Sequence, residues 1–149
     1  MIRVAKQVDI SACAVLAAEV WPDESDSIGQ KLCCEMRDQF SDCSSPPSFF
    51  VFESDGSIIG MAGYQRSMMS WDIYELTWVM VHPSQRRKSV GRALVEYTKD
   101  NIIIDDPSAK IIIFTTLVPA FYLKIGCETI REYTVDGEKH SIMFWWIGR

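Results

Sequence analysis

The sequence predicts a mixed α/β protein of element order βααβββαβαββ, formed as a single domain over residues 1–149. Short β-type runs occur at the start, in the middle and at the end of the chain, separated by stretches of helical periodicity. Asp55-Gly56 and Asp136-Gly137 each fall between two such runs and mark hairpins. A chain of 149 residues with 48% hydrophobic content suits one sizeable core and is short for two.

Ile2 to Ala5 is the first expected strand. Ser11 is the expected cap of a helix through Val20, which Trp21-Pro22 stops. A second helix is expected from Ser27 to Phe40, because Leu32, Met36 and Phe40 recur at i, i+4 and i+8. The segment Ser41 to Pro47 is a loop by composition. Three strands follow at Phe49 to Glu53, Ile58 to Gln65 and Ile73 to Val81. A helix from Val90 to Asn101 presents Ala93, Leu94 and Tyr97, and Pro107 breaks the chain before a buried strand at Lys110 to Thr115. A short helix from Val118 to Ile125 ends at Gly126, and strands at Thr129 to Val135 and His140 to Ile147 complete the order.

Fifteen Lys and Arg against twenty Asp and Glu give a net charge of −5, which disfavours nucleic acid and favours a cationic substrate. The start lacks the apolar region of a signal peptide, and no apolar stretch reaches membrane-spanning length, so a cytoplasmic protein without a membrane partner is expected. The five cysteines are odd in number and include no CxxC pair, which suggests free thiols. The ending Ser141 to Ile147 is too apolar for an exposed strand, so it should be covered by the core or by a second subunit; a homodimer is expected.

Val79-Met80-Val81-His82-Pro83-Ser84-Gln85-Arg86-Arg87-Lys88-Ser89-Val90-Gly91-Arg92 takes an apolar strand through a basic turn directly into an amphipathic helix. The first N–H groups of a helix have no helical partner and point outward with the positive end of its dipole, which suits a pyrophosphate. Arg86, Arg87, Lys88 and Arg92 add positive charge there. The glycine and lysine spacing of a P-loop is absent.

Arg86 to Gly91 resembles motif A of the GNAT N-acetyltransferases, [Gln/Arg]-x-x-Gly-x-[Gly/Ala]. Ser89 stands at the motif's first Gly, and Arg87 where Gly is frequent. Ala120 to Glu128 is similar to the same family's later Tyr-x-x-x-Gly segment, with Tyr122 at the tyrosine and Cys127 replacing a frequent Phe. The resemblance covers essentially the whole chain and implies a mostly antiparallel seven-stranded sheet flanked by four helices.

It further implies acetyl-CoA as co-substrate, direct attack by a primary amine of a small molecule or peptide, and neither metal nor acyl-enzyme. By the same resemblance, Arg86, Arg87, Lys88, Ser89, Val90, Gly91 and Arg92 hold the pyrophosphate, Val79 and Val81 offer backbone groups to the pantetheine arm, and Thr115 or Thr116 replaces an Asn that bonds it. Tyr122 is the general acid for the departing thiolate, and Glu75 the general base, with Asp72 or water as substitutes. Trp21, Asp23 and Glu24, with Asp72, are candidates for binding the amine; Trp21-Pro22 resembles a segment of aminoglycoside 6′-acetyltransferases. His82 reads as the turn that leaves the strand. The alternative reading is a non-catalytic acyl-CoA sensor or interaction module of the same fold, motivated by Ser89.

Overall fold

The computed structural model describes residues 1–148. Its strands are β1 (Ile2–Val4), β2 (Ser48–Ser54), β3 (Ser57–Arg66), β4 (Ile73–Val81), β5 (Ile111–Thr116), β6 (Glu128–Val135) and β7 (Glu138–Trp146). Its helices are α1 (Ile10–Val20), α2 (Ser25–Asp38), α3 (Val90–Asp105) and α4 (Pro119–Leu123), so the expected order holds throughout. The sheet runs β1-β2-β3-β4-β5-β7-β6 and is mostly antiparallel, with a parallel pair at β4 and β5. The chain divides into two compact units, Met1–Gln65 with Thr77–Thr98, and Arg66–Leu76 with the residues from Lys99 onward.

In the first unit, β1 and β3 flank β2, and the β2–β3 hairpin closes through Asp55 and Gly56 at φ +50° and +75°. That is the left-handed pair a two-residue turn of matching twist requires. Cys13, Leu16 and Ala17 of α1 and Leu32 and Met36 of α2 bury against Phe49, Val51, Met61 and Met80 of the strands. Ser11 is not the cap of α1. A helical turn at Gln7–Asp9 delivers the chain already wound, and the Asp9 carboxylate takes the Lys6 N–H at 2.7 Å. Arg3 pairs with the same carboxylate at 2.7 and 3.0 Å. Phe40 also leaves the expected face and is 42% exposed. The Gln39 side chain bridges the Ala5 carbonyl and the Phe49 N–H at 3.0 and 2.7 Å, which draws the chain away from the axis of α2 after Asp38.

In the second unit, β7 lies between β5 and β6, so the apolar ending is covered on both edges by its own chain. Met143 is fully buried there, while all eight residues of β6 are exposed. Arg66 stacks on Trp71 and Tyr74 and pairs with Asp106 at 3.2 Å, and the Tyr74 hydroxyl donates to the same carboxylate at 2.9 Å. Burial and that carboxylate push the Tyr74 phenol up to about 12. Among the described residues, no helix is long and apolar enough to cross a membrane.

Candidate functional site

The basic turn is built by backbone torsion. His82 ends β4 by donating its N–H to Ile59 at 2.8 Å, and its Nδ1 accepts the Ser84 N–H at 3.1 Å to start a helical turn at Pro83–Gln85. Arg86 is extended, whereas Arg87 and Ser89 take φ +61° and +62°. These are the conformations that glycine adopts without steric cost. They fall at the two positions where this sequence departs from glycine. The Ser89 carbonyl accepts the Ala93 N–H at 3.0 Å, so the N–H groups of Val90, Gly91 and Arg92 precede the first helical bonds. Val90 and Leu94 anchor this end of α3 against Ala62. The helix sits so close to β3 that a Cβ added at Gly60 would lie 2.8 Å from the Leu94 side chain.

Arg86, Arg87, Lys88 and Arg92 are exposed. Arg92 is held by Glu96 at 2.9 Å, one turn along the helix, and its charge is offset there. Lys88 donates to the neutral Gln85 amide at 3.3 Å, and neither it nor Arg87 enters an ion pair among the described residues, so the positive excess lies in the turn itself. Exposed donors, outward N–H groups and a net positive turn fit a pyrophosphate. Val79 and Val81 lean on the cluster around Val90 and Leu94. Trp78 and Met80 lean on the cluster under α1 and α2, and Trp78 itself has φ +52°.

Trp78 gathers further residues of the first unit. Its indole N–H donates to the Glu35 carboxylate of α2, and Trp21 meets it edge to face with centroids 6.0 Å apart. Asp23 and Glu24 are exposed on the turn Pro22–Glu24 that follows Trp21. Glu19 at the end of α1 pairs with His82 at 3.0 Å. Glu35, Trp78 and Glu19 were not singled out from the sequence. A carboxylate at helical spacing on the stripe of Ile28, Leu32 and Met36 is the signal that would have found Glu35.

The second unit carries the remaining candidates. Tyr122 is 6% exposed, with its ring 4.4 Å from Phe114 and 4.8 Å from Phe121. Burial, with a smaller contribution from Cys127, pushes its phenol well above the usual tyrosine value. Gly126, at φ +97°, closes the turn after α4. Thr116 is occupied locally, its hydroxyl accepting the Val118 N–H at 3.0 Å, whereas Thr115 is exposed. Glu75 is half-buried on β4 in register with Ile113 of β5. The Asp72 carbonyl takes the Lys110 N–H at 2.8 Å, and its carboxylate takes the Ser70 hydroxyl.

The acetyltransferase (GNAT) domain matches residues 45–128 of the 149, and the chain belongs to that family. No curated protein matches the sequence. A protein from Desulfovibrio desulfuricans described as an acetyltransferase of the GNAT family shares the fold at 18% identity, with TM-score 0.82 over 99% of each chain. An aminoglycoside 6′-N-acetyltransferase complexed with coenzyme A shares it at 16% identity and TM-score 0.80, over 100% of this chain and 98% of that one. The PaiA N-acetyltransferase of Thermoplasma acidophilum, in complex with coenzyme A, does so at 18% identity and TM-score 0.72 over 98% of each chain.

Proposed function

We propose that this chain is an acetyl-CoA-dependent N-acetyltransferase acting by direct attack on a primary amine, carried by a cationic small molecule or a peptide. The observation that carries the reading is the turn Arg86–Ser89, where two left-handed residues lead exposed basic side chains into the open end of a 16-residue helix. Family membership supplies acetyl transfer as the class of reaction. Val79 and Val81 lend backbone groups to the pantetheine arm, and Thr115 its hydroxyl.

In the proposed step the amine nitrogen attacks the thioester carbonyl carbon. Its proton passes to Glu75, or to water or Asp72, the C–S bond breaks, and the thiolate takes the Tyr122 phenol proton. Proximity supplies much of the acceleration. Trp21, Asp23, Glu24 and Asp72 favour a cationic acceptor. A homodimer belongs to the same proposal. Sedimentation showing monomer alone at high concentration removes that part.

The test is a mass-spectrometric screen of aminoglycosides, polyamines, amino acids and peptides with acetyl-CoA, in which one acetyl group is gained and polycationic amines lead. Preference for neutral or acidic amines removes the cationic acceptor. Ser89 in a glycine conformation favours one second reading, an acyl-CoA sensor without turnover. Binding of coenzyme A with no acetylation across the panel would establish that reading instead.

A further inference from the structure

Trp78 combines a bulky aromatic side chain with a left-handed backbone, φ +52°, inside β4. Such a combination is rare and persists only where surrounding contacts fix it. Two contacts fix it here. Glu35, 43 residues away on α2, accepts the indole N–H with Oε2, and the Trp21 ring abuts the indole edge to face. Both groups are partly buried, where a charge-assisted hydrogen bond is stronger than at an exposed site. Beyond Trp78 the side chains keep the ordinary alternation of a strand, Val79 and Val81 toward one cluster and Met80 toward the other, but a left-handed residue breaks the regular pleat, so the torsion at Trp78 sets where the following backbone groups point.

We propose that Glu35 is a positioning residue. Through the Trp78 indole it holds the left-handed turn of β4 and thereby aims the backbone groups of Val79 and Val81 that receive the acyl-CoA arm. The inference rests on the proposed function, because it needs β4 to be the strand that binds the arm. Glu35 touches no substrate in this scheme. Its effect passes through the strand, so it governs affinity for coenzyme A rather than proton transfer.

The test is a mutant cycle read by calorimetry with coenzyme A. Glu35→Leu removes the acceptor and should weaken binding about tenfold, the loss of one charge-assisted hydrogen bond. Glu35→Gln keeps an acceptor oxygen and should stay within about threefold of the unaltered protein. Trp78→Gly frees the backbone to adopt the positive φ unaided, so in that background Glu35→Leu should have no further effect. An equal loss in both backgrounds, or unaltered affinity in Glu35→Leu, overturns the proposal.

The Trp78 indole proton, assigned through Trp78→Phe in a 15N spectrum, gives a readout that needs no ligand. It should move upfield in Glu35→Gln, and an unmoved resonance overturns the clamp even if Glu35→Leu fails to fold. If the unaltered protein binds no coenzyme A, the acyl-CoA reading fails and the positioning role with it, whereas a shifted resonance would still show the Glu35–Trp78 contact.

Discussion

The imidazole of His82 donates from Nε2 to the Glu19 carboxylate at 3.0 Å while its Nδ1 accepts the Ser84 N–H. The last turn of α1 is thus tied to the residue at which β4 gives way to the basic turn. His82→Ala should cost about 1 kcal/mol, because it removes a cap as well as the hydrogen bond to Glu19. Glu19→Gln should cost under about 0.5 kcal/mol, since side chains 34% and 49% exposed are well screened. Urea denaturation of both variants checks the ranking, and equal losses would show that capping contributes nothing.

At Ser89 the positive φ carries a Cβ penalty of about 1–2 kcal/mol, partly offset by the extra unfolded-state freedom of glycine, about 0.5–1 kcal/mol. Ser89→Gly should therefore stabilise the fold by up to about 1 kcal/mol. In the opposite direction, Gly137→Ala should cost about 1 kcal/mol, for φ is +80° there and an added Cβ meets nothing within 4 Å. Thermal melts decide both, and coenzyme A titration of Ser89→Gly shows whether the hydroxyl is itself a ligand.

Arg87→Glu combined with Lys88→Glu should weaken coenzyme A binding and flatten its dependence on salt, because two uncompensated charges of the turn are reversed. Arg92→Gln should matter less, its charge being already met by Glu96. Calorimetry at two ionic strengths measures this directly; unchanged affinity removes the turn from the site.

Tyr122→Phe keeps the ring against Phe114 and Phe121 and loses only the hydroxyl, so the melting temperature should hold while turnover falls roughly 10²-fold. A donor must be protonated to act. Since burial raises its pKa, Tyr122 stays protonated through its ordinary value of 10.0, and no alkaline limb below that pH should arise from it. A pH–rate profile checks the sign, and equal turnover where chemistry limits the rate returns Tyr122 to a packing role.

Asp9 is nearly buried, and its bonds to Arg3 and to the Lys6 N–H hold its carboxyl below the usual value of 3.8. A lowered carboxyl stabilises the fold above its unfolded value, and the stabilisation fades as pH falls through the folded one. Asp9→Asn should therefore cost about 1–3 kcal/mol near neutrality and show a shallower loss of stability below pH 4. Parallel acid slopes for the two proteins would contradict the assignment.

The order of elements was legible because it is written in local chemistry: the period of apolar residues, two Asp-Gly turns, and the stops at Trp21-Pro22 and Gly126. Where local signals misled, a distant partner had intervened. Gln39 reaches Ala5 and Phe49 and ends α2 before Phe40, and Asp9 serves Arg3 and Lys6 so that the helix starts without Ser11. The basic turn was readable for the same reason, since its residues are consecutive.

By itself, then, the sequence determined the architecture and the run Arg86–Arg92, because both depend on neighbours in the chain. Only the tertiary structure decided that Arg87 and Ser89 are left-handed, that Arg92 is spent on Glu96, and that Trp21, Glu35 and Trp78 converge. A torsion is selected by the packing of whole elements, and neither segment names its partner in a contact across 43 residues.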